Sequence, residues 1–371
     1  MKESKSLVNQ SLAQPIKAVL FGLGRVGMQH LKALKYQAKK ARFELVAVVD
    51  LAPDTARQKL AGLGLNPAVY QSFDELMTDL GAELFPLDKA LRPLFIFATP
   101  SGLHFEQAKM TIQAGAHLFL EKPVAMTAKE ARELKELAAV AESEGIRTAV
   151  GHKYRYLPPF AVLLPELLAG QYGRPLFAQV SVRWGHDAAY YAPAWRGTLA
   201  MDGGALLNQS IHGVDLGAWL LGATAIRDSV VLRDNLVHSI EAEDFGAGVL
   251  RFDNGSYLAL DGTTVSLPQR HEASLYLRYE QLELRASVLG KRVRLSILDA
   301  QGRELRMAYL KRYLRELRKA EGFSGLGLLA NPHALIYSDL YRSIQAGKES
   351  LAPLAAGALA VEMTAGLSEQ A

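Results

Sequence analysis

The sequence predicts an α/β chain: an N-terminal parallel sheet wound with helices on both faces, then a C-terminal α+β domain on a largely antiparallel, open-faced sheet. Three observations predict it. Short apolar β-rich runs alternate with helical stretches from Ile16 to Val150, the pattern of a doubly wound sheet. Beyond Pro158-Pro159 the runs lengthen and alternate apolar with polar residues, as strands with one solvated face do. At 371 residues the chain is also too long for one ordinary core and suits two domains.

In chain order, AVLF (18–21), FELVAVVD (43–50), LFIFAT (94–99), HLFLE (117–121) and TAVG (148–151) read as strands covered on both faces, because they are apolar nearly throughout. Thr127 and Glu130 form a capping-box pattern for a helix that Gly145 ends, with Leu134, Leu137, Ala138 and Ala141 on its packing face. FAQVSVRW (177–184), FGAGVLRF (245–252), SYLALDGTT (256–264) and a β-rich stretch over 273–298 make the second sheet. Asn254-Gly255 between two of these runs predicts a type I′ hairpin. No helix is evident over the sheet's second face, so burial against a second subunit, as a homodimer or homotetramer, is expected.

Composition sets limits. The absence of cysteine excludes disulfides, thiolate metal sites and cysteine nucleophiles, and fits a reducing compartment. No apolar run reaches about 18 residues, and the opening MKESKSLVNQSLAQP lacks the continuous apolar core of a secretory signal. A cytoplasmic protein with no membrane partner and a short polar tail is expected. A net charge of +4 on 42 basic and 38 acidic residues suits a phosphate-bearing ligand and does not call for nucleic acid.

Gly22-Leu23-Gly24-Arg25-Val26-Gly27 is a G-x-G-x-x-G directly between AVLF and a helical run through Leu31 and Leu34. In that context the glycines allow a tight turn, close approach of a pyrophosphate and tight helix packing, while the helix N-terminus offers N–H donors. Asp50 ends the second strand, 23 residues after Gly27. There a carboxylate accepts from the adenosine ribose hydroxyls and repels a 2′-phosphate. A Rossmann domain binding NAD(H) follows, with NADP(H) kept open by nearby Arg57. The expected division is a polar tail over 1–14, a dinucleotide-binding domain over 15–150, and a substrate-binding and oligomerisation domain over 151–371.

Further segments add specificity: Thr99-Pro100 with His104, then Glu121-Lys122-Pro123, then the run from Gly203-Gly204 through Leu206 to His212 and Asp215, with Gly151, Arg155 and Pro158 between them. Together they resemble the glucose–fructose oxidoreductase/inositol dehydrogenase family over most of the chain, from Ile16 to at least Asp261. That resemblance implies a nicotinamide cofactor held between the two domains. It also implies that Thr99, Pro100 and His104 border the nicotinamide half, and that Glu121 and Lys122 reach the nicotinamide ribose and the reacting carbon. Lys122 also falls at the C-terminal end of a predicted parallel strand, where open α/β sheets place ligands, and Pro123 holds its backbone extended.

Asn208, His212 and Asp215 lie near one face if their segment is helical. Polar groups amid Leu206, Leu207, Ile211 and Val214 need partners from one another or from substrate. Taken alone, a histidine there is more often a satisfied core residue; the resemblance to the family's helix implies His212 as the proton-transfer residue, expected to titrate in the working range, and makes Lys122, His212 and Asn208 the catalytic candidates. Asn208 stands where many relatives have Asp. An amide cannot exchange a proton as a carboxylic acid can, so Asn208 is expected to orient a hydroxyl. Relatives resembling nucleotide-sugar 3-dehydrogenases tolerate Asn there. Asp202 replaces a third glycine of the relatives' run, a departure expected to leave the chemistry untouched.

Trp184, His186, Tyr190, Tyr191, Trp195 and Arg196 form an aromatic and polar cluster suited to stacking on sugar faces. With Arg155, Asn208, His212 and Asp215 they supply the substrate-binding candidates: Arg155, Trp184, Tyr191, Trp195, Arg196, Asn208, His212 and Asp215. His152, Asp187 and Glu243-Asp244 form no recognisable metal motif, and no metal is expected. From Arg303 to Lys319 seven Lys/Arg face two Glu, a local net of +5, with Leu310, Tyr313, Leu314 and Leu317 at helical spacing. The expected activity is hydride transfer between NAD and a secondary alcohol carbon of a sugar, polyol or nucleotide sugar. NAD-dependent glycoside cleavage and a non-catalytic NAD-binding regulator are the alternatives, the second disfavoured by retention of Lys122 and His212.

Overall fold

The structure is a computed structural model and describes residues 14–86, 88, 91–268 and 270–366; nearly all of the predicted polar tail lies outside them. The first unit runs β1 (Ile16–Phe21), α1 (Arg25–Ala38), β2 (Phe43–Val49), α2 (Pro53–Ala61), β3 (Ala68–Tyr70), α3 (Phe73–Leu84), β4 (Leu94–Phe97), α4 (His104–Gln113), β5 (His117–Leu120), α5 (Ala128–Ser143) and β6 (Thr148–Val150). Its strands are all parallel, in the order β3-β2-β1-β4-β5-β6, and the central ones are buried along their length. The order reverses between β1 and β4, which opens a crevice at their C-terminal ends, where such sheets bind ligands. The α5 capping box is present: the Thr127 hydroxyl accepts from the Glu130 amide, and the Glu130 carboxylate accepts from the Thr127 amide.

The second unit continues with α6 (Phe160–Leu168), β7 (Pro175–Arg183), α7 (Ala188–Tyr191), α8 (Ile211–Leu221), β8 (Ile226–Asp234), β9 (Phe245–Phe252), β10 (Tyr257–Thr263), β11 (Glu272–Tyr279), β12 (Leu282–Leu289), β13 (Arg292–Asp299), α9 (Arg306–Glu321), α10 (Pro332–Ala346) and α11 (Leu354–Ala365). The sheet order is β13-β12-β11-β7-β10-β9-β8. Its pairings are antiparallel except β7 with β10. Helix α8 covers one face, close enough that a Cβ on Gly213 would stand 2.7 Å from Val180. On the opposite face one rung carries Val230, Val249, Ala259, Gln179 and Tyr276, with Val230 66% and Val249 49% exposed. The open face expected from the alternation is therefore real.

Three details differ from the sequence expectations. Strands β3 and β8 carry no strong apolar run and were not foreseen. The Asn254-Gly255 turn is not type I′, because only Gly255 has positive φ. Instead, Gly255 N donates to Phe252 O and Phe252 N to Ser256 O, a three-residue loop with a type I turn and a left-handed glycine. Finally, α10 and the end of α9 pack back on the first unit. Gln37 donates to Ala334 O and to Ser338, Arg42 pairs with Glu321, and Ile336, Tyr337 and Leu340 share one core with β1 and α1.

Candidate functional site

A single cavity of about 1110 Å³ runs from the N-terminus of α1 to the sheet of the second unit. The glycine loop forms one end. Gly22 has φ +85°, and a Cβ there would sit 2.8 Å from Ala98 O, so the β1 and β4 loops touch only because the position is glycine. A Cβ on Gly27 would lie 2.1 Å from Gly22 O, whereas one on Gly24 would meet nothing within 4 Å. Space thus lies open beside Gly24, in front of the free N–H groups that begin α1, as a diphosphate requires. Arg25 and Val26 line the cavity here, followed by Thr99, Pro100, Glu121 and Lys122.

Asp50, at the end of β2, accepts from Leu23 N at 2.6 Å and from Ala52 N at 2.9 Å. It braces the glycine loop while each oxygen keeps a lone pair for a further donor. Arg57 is engaged by Asp54 and Val69 O. His104 does not reach the cavity. It is buried, with its ring nitrogens at Pro123 O (2.6 Å) and Thr99 O (3.1 Å), and so ties together the two loops that do.

Lys122 occupies the middle of the cavity. Its Nζ donates to the backbone O of Asn208 at 2.7 Å and to Asn208 Oδ1 at 3.2 Å. Burial pushes its pKa down to about 8, with Lys153 and Arg196 adding to the fall and Glu121 and Asp202 opposing it. Asn208 lies on a π-turn, Ala205–Ser210, that leads into α8, an irregularity frequent at functional sites. His212, one turn later, lines the same cavity beside Tyr154. Its titration in the working range is overturned: desolvation, then the positive Lys122 and Lys153, hold its pKa well below the usual value. The free protein carries a neutral imidazole there, and Lys122 is the group that titrates near neutrality.

Arg155 and Asp215, expected to bind substrate, do not reach the cavity. They are buried against each other, Arg155 donating to both Asp215 oxygens at 2.8 and 2.6 Å and to Leu351 O at 2.7 Å. A buried guanidinium needs this many acceptors, and Asp215, on α8, supplies two of them. Tyr191 also turns aside, its hydroxyl donating to Thr264. Trp184, Trp195 and Arg196 do line the cavity, with His186 and Tyr190 stacked at a centroid separation of 3.5 Å. Arg196 lies over Trp195 and donates to Tyr190 and to Asp202.

Residues in or behind the site were missed, among them Lys153 and Tyr154 of the lining and three that bear on its charge. His30 and His333 each place Nε2 3.1 Å from Glu121 Oε1. Although burial alone would raise its pKa, these two donors hold the Glu121 carboxyl well below the usual range, so both imidazoles donate and the Tyr337 hydroxyl donates to His30 Nδ1. The three ligand-type groups lie within 4.8 Å of one another, a cluster the sequence reading did not foresee. His30's signal was a polar residue on the buried face of α1 next to Leu31 and Leu34. His333, more than two hundred residues from Glu121, had none. The third is Asp202, which joins Arg196 and Asn208 in the cavity wall, against the expectation that its departure leaves the chemistry alone.

The basic stretch 303–319 stands apart. Tyr309, Tyr313 and Leu317 form the buried stripe of α9, and Leu314 is exposed. Lys311, Arg315, Arg318 and Lys319 instead rim a separate cavity of about 660 Å³. Among the described residues, no helix is long and apolar enough to cross a membrane.

A crevice at the switch point of a parallel sheet, walled by a second, open-faced sheet and lined by a buried lysine, defines the class by its architecture: a Rossmann-type α/β protein with a second, mostly antiparallel sheet. The comparisons narrow it. Residues 16–152 match the oxidoreductase family with an NAD-binding Rossmann fold, and residues 166–295 match the GFO/IDH/MocA C-terminal domain. The chain belongs to this glucose–fructose oxidoreductase/inositol dehydrogenase family, and its first unit is an NAD-binding Rossmann domain. It is 30% identical over 203 residues to the rhizopine catabolism protein MocA of Rhizobium meliloti, a match spanning 55% of this chain and 56% of that protein. It is 24% identical over 294 residues to scyllo-inositol 2-dehydrogenase (NAD(+)) of Bacillus subtilis strain 168, covering 77% and 78%. The WlbA dehydrogenase from Bordetella pertussis, solved with NADH and UDP-GlcNAcA, shares the fold at a TM-score of 0.76 and 24% identity over 95% of this chain and 94% of that one.

We propose that Asp50 sets cofactor discrimination. Asp50→Ala is expected to weaken NAD(H) binding and narrow the gap to NADP(H) in a fluorescence titration, because a carboxylate available to the adenosine ribose and the brace on Leu23 N are lost together. Tighter binding of NADP(H) than NAD(H) by the unmodified protein would contradict the assignment.

Proposed function

We propose that the protein transfers a hydride between NAD(H) and a secondary alcohol carbon of a sugar, polyol or nucleotide sugar. The observation that carries this reading is the meeting of Lys122, Asn208 and His212 in one cavity with the glycine loop. Bound NAD supplies the hydride acceptor. Neutral Lys122 takes the hydroxyl proton, His212 hydrogen-bonds the same oxygen, and Asn208 holds the lysine. Glu121, kept anionic by His30 and His333, anchors the strand end beside Lys122. The aromatic wall of Trp184, Trp195 and the stacked His186 and Tyr190 suits the apolar face of a sugar ring.

Few basic side chains are free to meet a charged substrate. Arg155 and the 303–319 segment face elsewhere, and Arg196 is engaged by Asp202, which leaves Lys153 and Arg25 at the cavity wall. The relatives name two chemistries, a neutral inositol and a nucleotide-linked uronate. A panel of inositols, free hexoses and UDP-sugars with and without a carboxylate, read by NADH fluorescence, separates them. No NADH change with any member, combined with release of free sugar from glycosides, would favour the glycoside-cleaving alternative.

The open face carrying Val230 and Val249 supports a homodimer or homotetramer, since a broad apolar face is rarely left in water. Light scattering at micromolar concentration should give at least twice the 40.5 kDa chain mass. A monomer would refute it.

A further inference from the structure

Asp202 and Asn208, one just before the glycine pair and the other on the π-turn that follows it, touch in the fold. Asn208 Nδ2 donates to Asp202 Oδ1 at 2.6 Å. The other end of the same amide, Oδ1, accepts from Lys122 Nζ at 3.2 Å. Asp202 is itself fixed, accepting from Arg196 Nη1 and from the Gly197 amide, each at 2.9 Å, and it is 3% exposed.

An amide side chain has a donor end and an acceptor end of nearly equal size, and nothing in its shape decides which faces a neighbour. A carboxylate, which only accepts, decides it. With Asp202 on one side, the NH₂ must point to Asp202 and the carbonyl to Lys122. Turned the other way, the amide would present N–H groups to the ammonium and an oxygen to a carboxylate, two repulsive contacts at once.

We propose that Asp202 is a positioning residue for Lys122: through the Asn208 amide it fixes an acceptor on the lysine, and it supplies the negative charge that the amide at 208 lacks. The proposal rests on the dehydrogenase reading of the cavity and deepens it. Lys122 is faced by Glu121 from its own strand end, Lys153 from the loop after β6, Arg196 and Asp202 from the loop before the π-turn, and His212 from α8. Of these, Glu121 and Asp202 are the carboxylates that favour its charged form. Removal of either carboxylate lets burial and the neighbouring cations lower the lysine further.

The test measures the pKa of the Lys122 amine directly, from the pH dependence of its acetylation followed by peptide mass spectrometry, alongside turnover and thermal midpoint. D202N, close in shape to the native residue, is expected to lower the Lys122 pKa by about one unit and kcat by about tenfold, with the fold and NADH binding retained. The exchanged pair D202N/N208D puts the carboxylate on the lysine side of the same contact, and is expected to return most of the pKa shift and of the lost turnover. An unchanged Lys122 pKa in folded D202N, or an exchanged pair that restores neither, overturns the proposal. A shifted pKa in a protein that oxidises no sugar would instead sink the dehydrogenase reading and leave the Asp202–Asn208–Lys122 linkage standing.

Discussion

Lys122→Ala is expected to lower kcat by at least about a hundredfold with NAD(H) affinity little changed, because a base within hydrogen-bond reach supplies typically 10²–10⁴-fold. Lys122 is held over the cavity by Asn208, and its pKa of about 8 places the proton transfer within the accessible range. Oxidation of an alcohol needs the neutral amine, so kcat/KM in that direction should climb as pH rises through about 8 and level off above it. Reduction needs the ammonium and should fall over the same window. The limb should vanish in Lys122→Ala, whereas His212→Ala should lose turnover yet keep the limb, since His212 stays neutral throughout. Near-normal turnover of the Lys122 variant with cofactor bound would overturn the mechanism and spare the fold.

A different kind of loss is expected of Asp215→Ala. The residue sits in a motif read as substrate-binding, yet its carboxylate takes two hydrogen bonds from buried Arg155. Removing one partner of such a pair leaves an uncompensated buried charge and costs about 3–5 kcal/mol. The thermal midpoint should fall by on the order of 10 °C, with the KM of the protein that remains folded little altered. A normal midpoint with a raised KM would return Asp215 to the substrate.

Much of the first unit's architecture was legible, because its information is local: a glycine run after an apolar strand, an acidic residue at the next strand end, a capping box before α5. Lys122, Asn208 and His212 were legible from ordered motifs, and the structure brings them into one cavity. What failed was direction. Spacing placed Asn208, His212 and Asp215 near one helix face, but not which would find a buried guanidinium first. The pKa of His212 was misjudged for the same reason, since its cationic neighbours Lys122 and Lys153 come from distant segments. His333 and the return of α10 to the first unit were invisible, because both depend on contacts between residues some two to three hundred positions apart.

That return has a consequence for synthesis. The strands of the first sheet are complete by Val150, yet the core over α1 is closed by Ile336, Tyr337 and Leu340, and the donor that completes the Glu121 cluster is His333. A ribosome delivers the chain from its N-terminus at about 5–20 residues per second, so some ten seconds or more separate emergence of β6 from emergence of α10. Throughout that interval the nascent first unit exposes the apolar side of α1 and leaves Gln37 Nε2 without Ala334 O and Ser338, its acceptors in the fold. The first unit is begun early and closed late, its core completed only once α10 has emerged.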